Sequence, residues 1–491
     1  MTNSYKLFGP LALYIPGLAA TLLAAGCSLI PSYERPAAPI AAQWPDTIAT
    51  ADSEKASTQP FQAMDWKAFY ADPTLQELIS TALANNRDLR VSVLNIEQAR
   101  AQLGLRRADQ FPTVNATVTG SRAPASGGGI SSSYTGGLIF TAYELDFFGR
   151  VASLKEQALA QYLATAEASN TAQISLMATV TQSWLSLLAD EALLGASRQT
   201  LASREESLKL VELKQHYGAA SDLDWRLAQT LLESAHITLA QQQRQRALDE
   251  NALTLLLGQS LPASARTQLA DGQLDKLDQL DKLQFANLPA GLPSDLLTYR
   301  PDIRQAEQLL RASNANIGAA RAAFFPRISL TAGAGSASNE LSGLFKNGSW
   351  GWTLAPQLVL PIFDAGRNRA NLDSAQVARN IAVAQYEKAI QSAFREVADA
   401  LAGEATLGQQ LQASQALLAA ERERTRLTKL RFDNGAASQL DWLDAQRSLF
   451  SAQQSLVQTR LAYLQNRIAL YKSLGGGAMP LTATDPAAST H

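Results

Sequence analysis

The sequence predicts an internally duplicated chain of long α-helices with four membrane β-strands. Three copies would build a 12-stranded β-barrel continuous with an α-helical barrel. Three observations carry this. First, Gly218-Ala219-Ala220-Ser221-Asp222-Leu223-Asp224-Trp225 recurs as Gly435-Ala436-Ala437-Ser438-Gln439-Leu440-Asp441-Trp442, an offset of 217 residues with one mismatch. Second, no proline occurs between Pro124 and Pro262 or between Pro361 and Pro480. Third, each copy holds two short runs of period-two alternation ahead of its proline-free stretch.

The repeat extends both ways from the octamer. Leu257-Gly258 matches Leu474-Gly475, and Gly149-Arg150 matches Gly366-Arg367, all at 217. Phe111-Pro112 matches Phe325-Pro326 at 214, so a loop between these pairs differs in length. Small solenoid repeats run at about 20–50 residues, so a unit this large is a duplicated half-protein.

At the N-terminus, Lys6 precedes an apolar run from Leu7 that ends in small residues before Cys27, the sole cysteine. This reads as a secretory signal over residues 1–26. The small residues ahead of Cys27 resemble a bacterial lipobox, with Ala24 where leucine is commoner. That resemblance implies an acylated Cys27 at the mature terminus, and several acyl chains anchor stably where one is marginal. Ser28 follows, not the aspartate of inner-membrane retention, which points to the outer membrane. Residues 27–65 are rich in Pro, Ala and Ser without apolar periodicity and read as a lipid-anchored tether.

The first repeat covers residues 66–258. Its opening helix, 66–110, carries Leu75, Leu78, Ile79, Ala82 and Leu89 on one side. It ends at Phe111-Pro112, because proline disfavours helix in the residue before it. Val114, Ala116 and Val118 then alternate with Thr113, Asn115, Thr117 and Thr119, a Gly/Ser-rich loop spans 123–132, and a second strand spans about 134–147. In the second repeat, 293–475, Ile328, Leu330 and Ala332 alternate with polar residues, as do Trp350, Trp352, Leu354 and Leu358. Alternation puts the two sets on opposite faces of a sheet. In a membrane barrel the apolar face meets lipid and the polar face a wet lumen. Pro356 argues against a regular central strand.

Residues 151–217 would span about 100 Å as one helix. Helices over 73–110 and 222–257 together equal that length, so two short helices stacked beside one long one is the economical arrangement. The octamer then marks the turn. In the last helix, Leu443, Phe450, Val457, Leu464 and Tyr471 form one seven-residue stripe. Leu449, Leu456, Tyr463 and Leu470 form a second, interrupted by Thr459 and Asn466. Two readings stand: neighbours on both sides, or one broad face in a bundle. Residues 259–292, with Leu274, Leu277, Leu280 and Leu283 in steps of three, read as an equatorial linker, either a short amphipathic helix or a solvated segment. Residues 476–491 form a tail.

A sheet in lipid must close. Single-chain bacterial barrels start at eight strands, so four cannot close alone. Two chains give eight, filled by side chains; three give twelve, with room for a lumen.

These residues resemble the TolC-type outer-membrane efflux channels (the outer membrane factor family), in the lipoprotein branch serving RND-type efflux systems. The resemblance runs from Trp66 to Gly475. It rests on Asn85-Asn86-Arg87-Asp88-Leu89, the Phe-Pro and Gly-Arg pairs, Arg431-Phe432 leading into Gly435-x-x-Ser438, Asp441, and Leu443-Asp444-Ala445. It implies a homotrimer in the outer membrane, a periplasmic α-barrel, a periplasmic membrane-fusion adaptor and an inner-membrane RND-type pump. It further implies a periplasmic gate beside the repeat turns Gly218, Ser221, Gly435 and Ser438. Inward acidic residues correspond to Asp224, Asp441 and Asp444, and a gating aromatic to Phe432. Ala437 stands where some relatives carry a basic gate partner, and Leu227 replaces the first-copy equivalent of Asp444, so the gate's salt-bridge pattern is not carried over.

A ring of carboxylates at a narrow mouth favours cations. Alternatively, Asp224 and Asp441 cap the helix after the turn. Both readings stand for Asp224. The pore is favoured for Asp441 and Asp444, because helix-end effects fade within a turn. No enzyme is indicated: His216, His236 and His491 are scattered, and Gly127-Gly128-Gly129 sits between strands rather than ahead of a helix. Glu205-Glu206 and Arg422-Glu423-Arg424 read as solvated faces. A net charge of −2 leaves no footprint for nucleic acid. No cofactor or metal is implied. A protein-secretion channel or a non-conducting envelope scaffold are the competing functions.

Overall fold

The computed structural model describes residues 28–41, 43–44, 64–124, 127–270, 280, 283, 285–286, 288 and 293–477. The signal segment, Cys27, Leu274, Leu277 and the tail beyond Gly477 lie outside them. The first repeat runs α1 (Trp66–Phe69), α2 (Pro73–Asn85), α3 (Arg87–Ala108), β1 (Asn115–Pro124), β2 (Ile130–Leu145), α4 (Arg150–His216) and α5 (Asp222–Leu257). After α6 (Ala263–Ala270), the second runs α7 (Leu296–Tyr299), α8 (Pro301–Ala322), β3 (Arg327–Ser338), β4 (Trp350–Val359), α9 (Arg367–Asp433) and α10 (Gln439–Ser473). The described residues group into two units. One draws on those within 28–37, Asn95–Ala166 and Gln305–Glu387, the other on those within Ala38–Leu94, Glu167–Arg304 and 388–477.

The long helices α4 and α9 hold 67 residues each, as expected. The opening helix does not run unbroken. Asp72 accepts from Leu75 N at 2.8 Å and starts α2 ahead of Pro73. Asn86 is extended at ψ 129°, and its Oδ1 accepts from Leu89 N at 2.9 Å to start α3. Short polar side chains that bond backbone in this way favour breaks and caps over helix interiors.

Each repeat closes on itself through equivalent residues in the second unit. Asn86 Nδ2 donates to Leu256 O at 2.9 Å, and Arg300 Nη1 to Ser473 O at 2.9 Å. Both satisfy a carbonyl left open at the end of a helix. Gly258 and Gly475 follow, at φ 68° and 81°. A Cβ on either would sit 2.5 Å from Asn85 O or 2.9 Å from Tyr299 O. Left-handed backbone and close approach together demand glycine, which explains the recurring Leu-Gly pair. Arg300 is almost wholly buried and also pairs with Asp302 and Glu396.

This unit's core is aromatic. Phe69 stacks on Tyr471 at 4.0 Å and on Phe285 at 5.3 Å, with Tyr70 edge-on to both partners. Such pairs add about 0.5–1.5 kcal/mol beyond their buried area. Described residues of the segment joining the repeats belong to this core, namely Leu261, Ala265, Leu269, Leu280, Leu283 and Phe285. In α10 both stripes are used. Leu443, Val457, Leu464 and Tyr471 are buried, and so are Ala452 and Leu470. The polar interruptions meet α9: Ser414 Oγ lies 3.5 Å from Thr459 Oγ1, and Asn466 Nδ2 donates to Ala400 O at 2.8 Å.

In the first unit the strands form one antiparallel sheet in the order β1-β2-β3-β4. The hairpin pairs Pro124 with Ile130, so the strands extend into the expected Gly/Ser loop. Rows across the sheet keep their faces. Ala116, Leu138, Ala334 and Trp352 share one face with Phe140, Ala332 and Leu354. Thr117, Gly137, Gly335 and Gly351 share the other with Thr119 and Thr135, whose hydroxyls lie 2.6 Å apart. On β2 the parity changes between Phe140 and Tyr143, where two residues oppose one. Ala142, at φ 52°, donates its N–H to Thr331 Oγ1 at 3.0 Å. The bulge keeps Tyr143 and Leu145 on the face of Leu330 and Ile328.

Residues 29–35 are not a free tether, correcting the compositional reading. They lie along α8 within the first unit. Arg321 donates to Leu29 O at 3.3 Å and Asn314 to Pro31 O at 2.8 Å. Arg35 and Tyr33 bond Glu307, which also pairs with Arg311. Gly318 makes room, since a Cβ there would lie 2.6 Å from Ile30 Cγ1. A segment without periodicity can dock this way because its bonds run through backbone carbonyls and two long side chains. Burial raises the Glu307 carboxyl, but hydrogen bonds and charge from Arg35, then Arg311, hold it below its ordinary value.

Gly258→Ala and Gly218→Ala both force a left-handed alanine, at about 1–2 kcal/mol. Only Gly258→Ala adds a clash, since open space surrounds Gly218. The thermal midpoint of Gly258→Ala is therefore expected to fall further; equal falls count against the close approach. Because the folded Glu307 is depressed, its contribution to docking is fully present above about pH 4.3, the ordinary glutamate value. It is lost as pH falls through the lower folded value. Hydrogen exchange of residues 29–35 is expected to accelerate only below that point, and Glu307→Gln is expected to show fast exchange at pH 7.

Candidate functional site

The two repeat turns belong to the second unit and are built alike. Gly218 and Gly435 both sit at φ 76°. Ala219 N donates to Lys214 O at 2.7 Å and Gly218 N to Gln215 O at 2.9 Å; Ala436 and Gly435 repeat this onto Arg431 and Phe432 at 2.8 and 3.0 Å. This paired pattern satisfies the last carbonyls of α4 and α9 and favours glycine at the left-handed position. Three residues on, Ser221 and Ser438 start α5 and α10 with capping boxes. Each serine hydroxyl accepts from the backbone of Asp224 or Asp441 at 3.1 Å. Each aspartate in turn accepts from the serine N–H, at 3.0 and 2.9 Å, and from its hydroxyl at 2.7 Å. The serine and the second aspartate of the first octamer, and their counterparts in the second, thus have local bonds that require their residue types, whereas the one mismatched position, Asp222 or Gln439, takes no part in the box.

This geometry corrects one expectation. Asp441 is not free of the helix end, for it occupies the third residue of α10, as Asp224 does in α5. Hydrogen bonds from the serine side chains, then the serine backbone, hold both carboxyls below the ordinary aspartate value. Asp441 is exposed and Asp224 partly so, which leaves a second role for the same carboxylates sterically open.

Asp444 lies one turn further along, half-exposed, between Arg447 Nη2 at 2.6 Å and Arg424 Nη2 at 3.3 Å. Arg424 is therefore more than a solvated face, since it ties α9 to α10. Phe432, on the last turn of α9, lies under Lys214 Nζ, 4.9 Å from the ring centre. The structure brings Phe432 and Lys214 together across α9 and α4, and Asp444 and Arg424 across α10 and α9. No basic partner stands at Ala437, and Leu227 is about a third exposed. Lys214 was not singled out in the sequence, and Arg424 was read only as part of a solvated face. Arg447, three residues from Asp444, was the legible one, because that spacing places two side chains on one helix face.

The sheet offers the second surface. Val118, Leu138, Trp350, Trp352 and Leu354 are exposed along its apolar face, and Ile362 and Phe363 beyond β4 are nearly fully so. A contiguous apolar surface of this kind marks a membrane or protein contact. Among the described residues, the outer edges of β1 and β4 have no strand partner. Ala337 N donates to Ser349 O at 2.8 Å. Opposed residues exchange bonds at alternate positions, so Leu330 and Pro356 form a non-bonded pair. The missing N–H of Pro356 therefore faces the free edge and costs no bond inside the chain. Gly137 and Gly335 approach so closely that a Cβ on either would lie 2.6 Å from the other's Cα, a non-bonded pair. Carrying that alternation across, the outward backbone groups of β1 belong to Ala116 and Val118, and those of β4 to Trp350, Trp352 and Leu354. All lie on the apolar face, so β4 of one copy can pair with β1 of another without inverting the sheet. Among the described residues, no helix is long and apolar enough to cross a membrane.

The chain matches the outer membrane efflux protein family over residues 78–259 and 292–476, one segment in each repeat. It is similar to the probable efflux pump outer membrane protein TtgC of Pseudomonas putida, at 48% identity over 92% of this chain and 93% of that protein. It is also similar to outer membrane protein OprJ of Pseudomonas aeruginosa, at 45% identity over 94% and 96%. Among solved structures it resembles the open state of the Neisseria gonorrhoeae MtrE outer membrane channel, at TM-score 0.82 and 40% identity over 92% of this chain and 99% of that one.

Replacing the cap serine separates helix starting from any other role of the turn. Ser438→Ala is expected to cost about 1 kcal/mol and to accelerate amide exchange in the first turn of α10. Unchanged exchange there counts against the capping box.

Proposed function

The chain belongs to the outer membrane efflux protein family, and from that premise we propose that three copies form a passive exit duct for small molecules. The duct crosses the bacterial outer membrane and receives cargo from a periplasmic adaptor and an inner-membrane RND-type pump. The observation that carries this reading is the open four-stranded sheet, with one apolar face and two free edges of matching parity. Pairing β4 of each copy with β1 of the next gives twelve antiparallel strands with every edge closed, lipid outside and threonine and glycine inside. The relatives named as efflux pump components favour efflux over protein secretion and over a scaffold alone. The duct performs no catalysis; the pump supplies the energy and selects the cargo.

Cys27 carries the acyl anchor in this reading, with the docked residues 29–35 following it directly. At the periplasmic end, Phe432, Asp224, Asp441 and Asp444 contribute to the gate. Threefold repetition turns each into a ring, and converging carboxylates raise the local cation concentration. Asp224 and Asp441 serve the turn and the ring with the same carboxylate. Asp444, held by two arginines at partly exposed positions where such pairs are weak, is the one free to exchange partners.

Purified protein is expected to be trimeric and to form cation-preferring pores in planar bilayers. Asp444→Ala is expected to weaken that preference and raise conductance. Unchanged selectivity in Asp444→Ala removes it from the mouth, and a stable single subunit without conductance overturns the duct. A deletion strain is expected to become hypersensitive to small toxic compounds; loss of protein export with normal susceptibility favours secretion.

A further inference from the structure

Arg204 of α4 is 4% exposed, and its one hydrogen bond goes to a neutral group, Gln446 Oε1, at 2.8 Å. Among the described residues no carboxylate forms an ion pair with it. Burial holds its guanidinium below the ordinary arginine value, and the charge of Arg447 adds to this. An unpaired buried charge is costly, and folds that keep one normally supply a counter-ion. Here the guanidinium lines a cavity of about 410 Å³ between α4, α9 and α10, within the second unit. That volume falls in the range that accommodates small ligands.

The rest of the wall defines the ligand. Phe432, Trp442, Phe450 and Leu449 supply an apolar, largely aromatic side, and Ser203, Ser207 and Thr200 supply hydroxyls. Of the two acidic residues in the wall, Asp433 is engaged by Lys429 Nζ at 3.1 Å, and Glu206 is exposed to solvent. Gln446 is locked in place, because its Nε2 donates to Ser203 Oγ at 2.7 Å while its Oε1 accepts from Arg204. That lock positions the guanidinium and leaves most of its planar fork of donors for another acceptor. A planar fork is best matched by a carboxylate, which it binds through two parallel bonds.

We propose that this cavity is a binding site for a small organic carboxylate with an aromatic body, its carboxylate held by Arg204 and its ring packed against Phe432 and Trp442. The site stands on one chain's geometry and does not depend on the channel reading. It also accounts for an arginine in a buried seven-residue stripe with Asp190, Ser197 and Val211.

The test is calorimetric titration of the detergent-purified full chain with benzoate and with its neutral isostere benzamide. Benzoate is expected to bind saturably and at least tenfold more tightly than benzamide. Arg204→Gln is expected to weaken benzoate at least tenfold and leave benzamide unchanged, with Arg204→Lys between the two. Absence of saturable benzoate binding overturns the proposal, as does equal binding of the two probes. A folded Arg204→Gln protein that binds benzoate as the unsubstituted protein does also overturns it. Should Arg204→Gln fail to fold, the benzoate–benzamide ratio on the unsubstituted protein decides by itself.

Discussion

Backbone hydrogen bonding in lipid is the constraint on which the rest depends. A four-stranded sheet with an apolar face leaves a row of N–H and C=O groups on β1 and another on β4, and hydrocarbon offers neither row a partner. The chain resolves this by register. The bulge at Ala142 returns β2 to phase, the glycine pair 137 and 335 lets backbones approach, and Pro356 places its missing donor on the outer edge. The bulge keeps apolar residues on one face, and Pro356 leaves the bonds inside the chain complete. In the proposed trimer, pairing between copies completes the backbone bonds of the sheet.

The duplication is conserved where geometry leaves no alternative. The repeat turn needs a left-handed residue, a hydroxyl acceptor and a carboxylate at fixed spacings, and both copies supply Gly, Ser and Asp. Repeat closure needs a side-chain donor to a terminal carbonyl, and here the copies differ. Asn86 does it with an amide, while Arg300 does it with a guanidinium that also gathers Asp302 and Glu396. A bond to a carbonyl accepts any donor of the right reach, whereas a positive φ against a neighbouring carbonyl accepts only glycine. The copies drifted apart where chemistry was permissive.

Charge in the helical unit follows the same logic of local use. Aspartates that suggest a pore mouth first start their helices, and arginines that suggest solvated faces cross to neighbouring helices. Buried charge at interhelical positions is costly without partners, and Arg300 has carboxylates at hand. Arg204 is built differently, with a neutral partner and a cavity in front of it.

The sequence by itself determined the duplication, the two 67-residue helices, the turns and the strand faces. These depend on local spacing: periods of two and seven, proline absence, and glycine–serine–aspartate order. The four-strand count likewise followed from alternation, and three-chain closure from the count. Tertiary structure decided what depends on partners distant in the chain. It broke the opening helix at Asn86, buried the joining segment under Phe69 and Tyr471, and laid residues 29–35 against Glu307 and Arg321. It also placed Lys214 over Phe432 and left Arg204 facing a cavity. No periodicity announces such contacts, because each is a match between one side chain and a surface assembled from elsewhere in the chain.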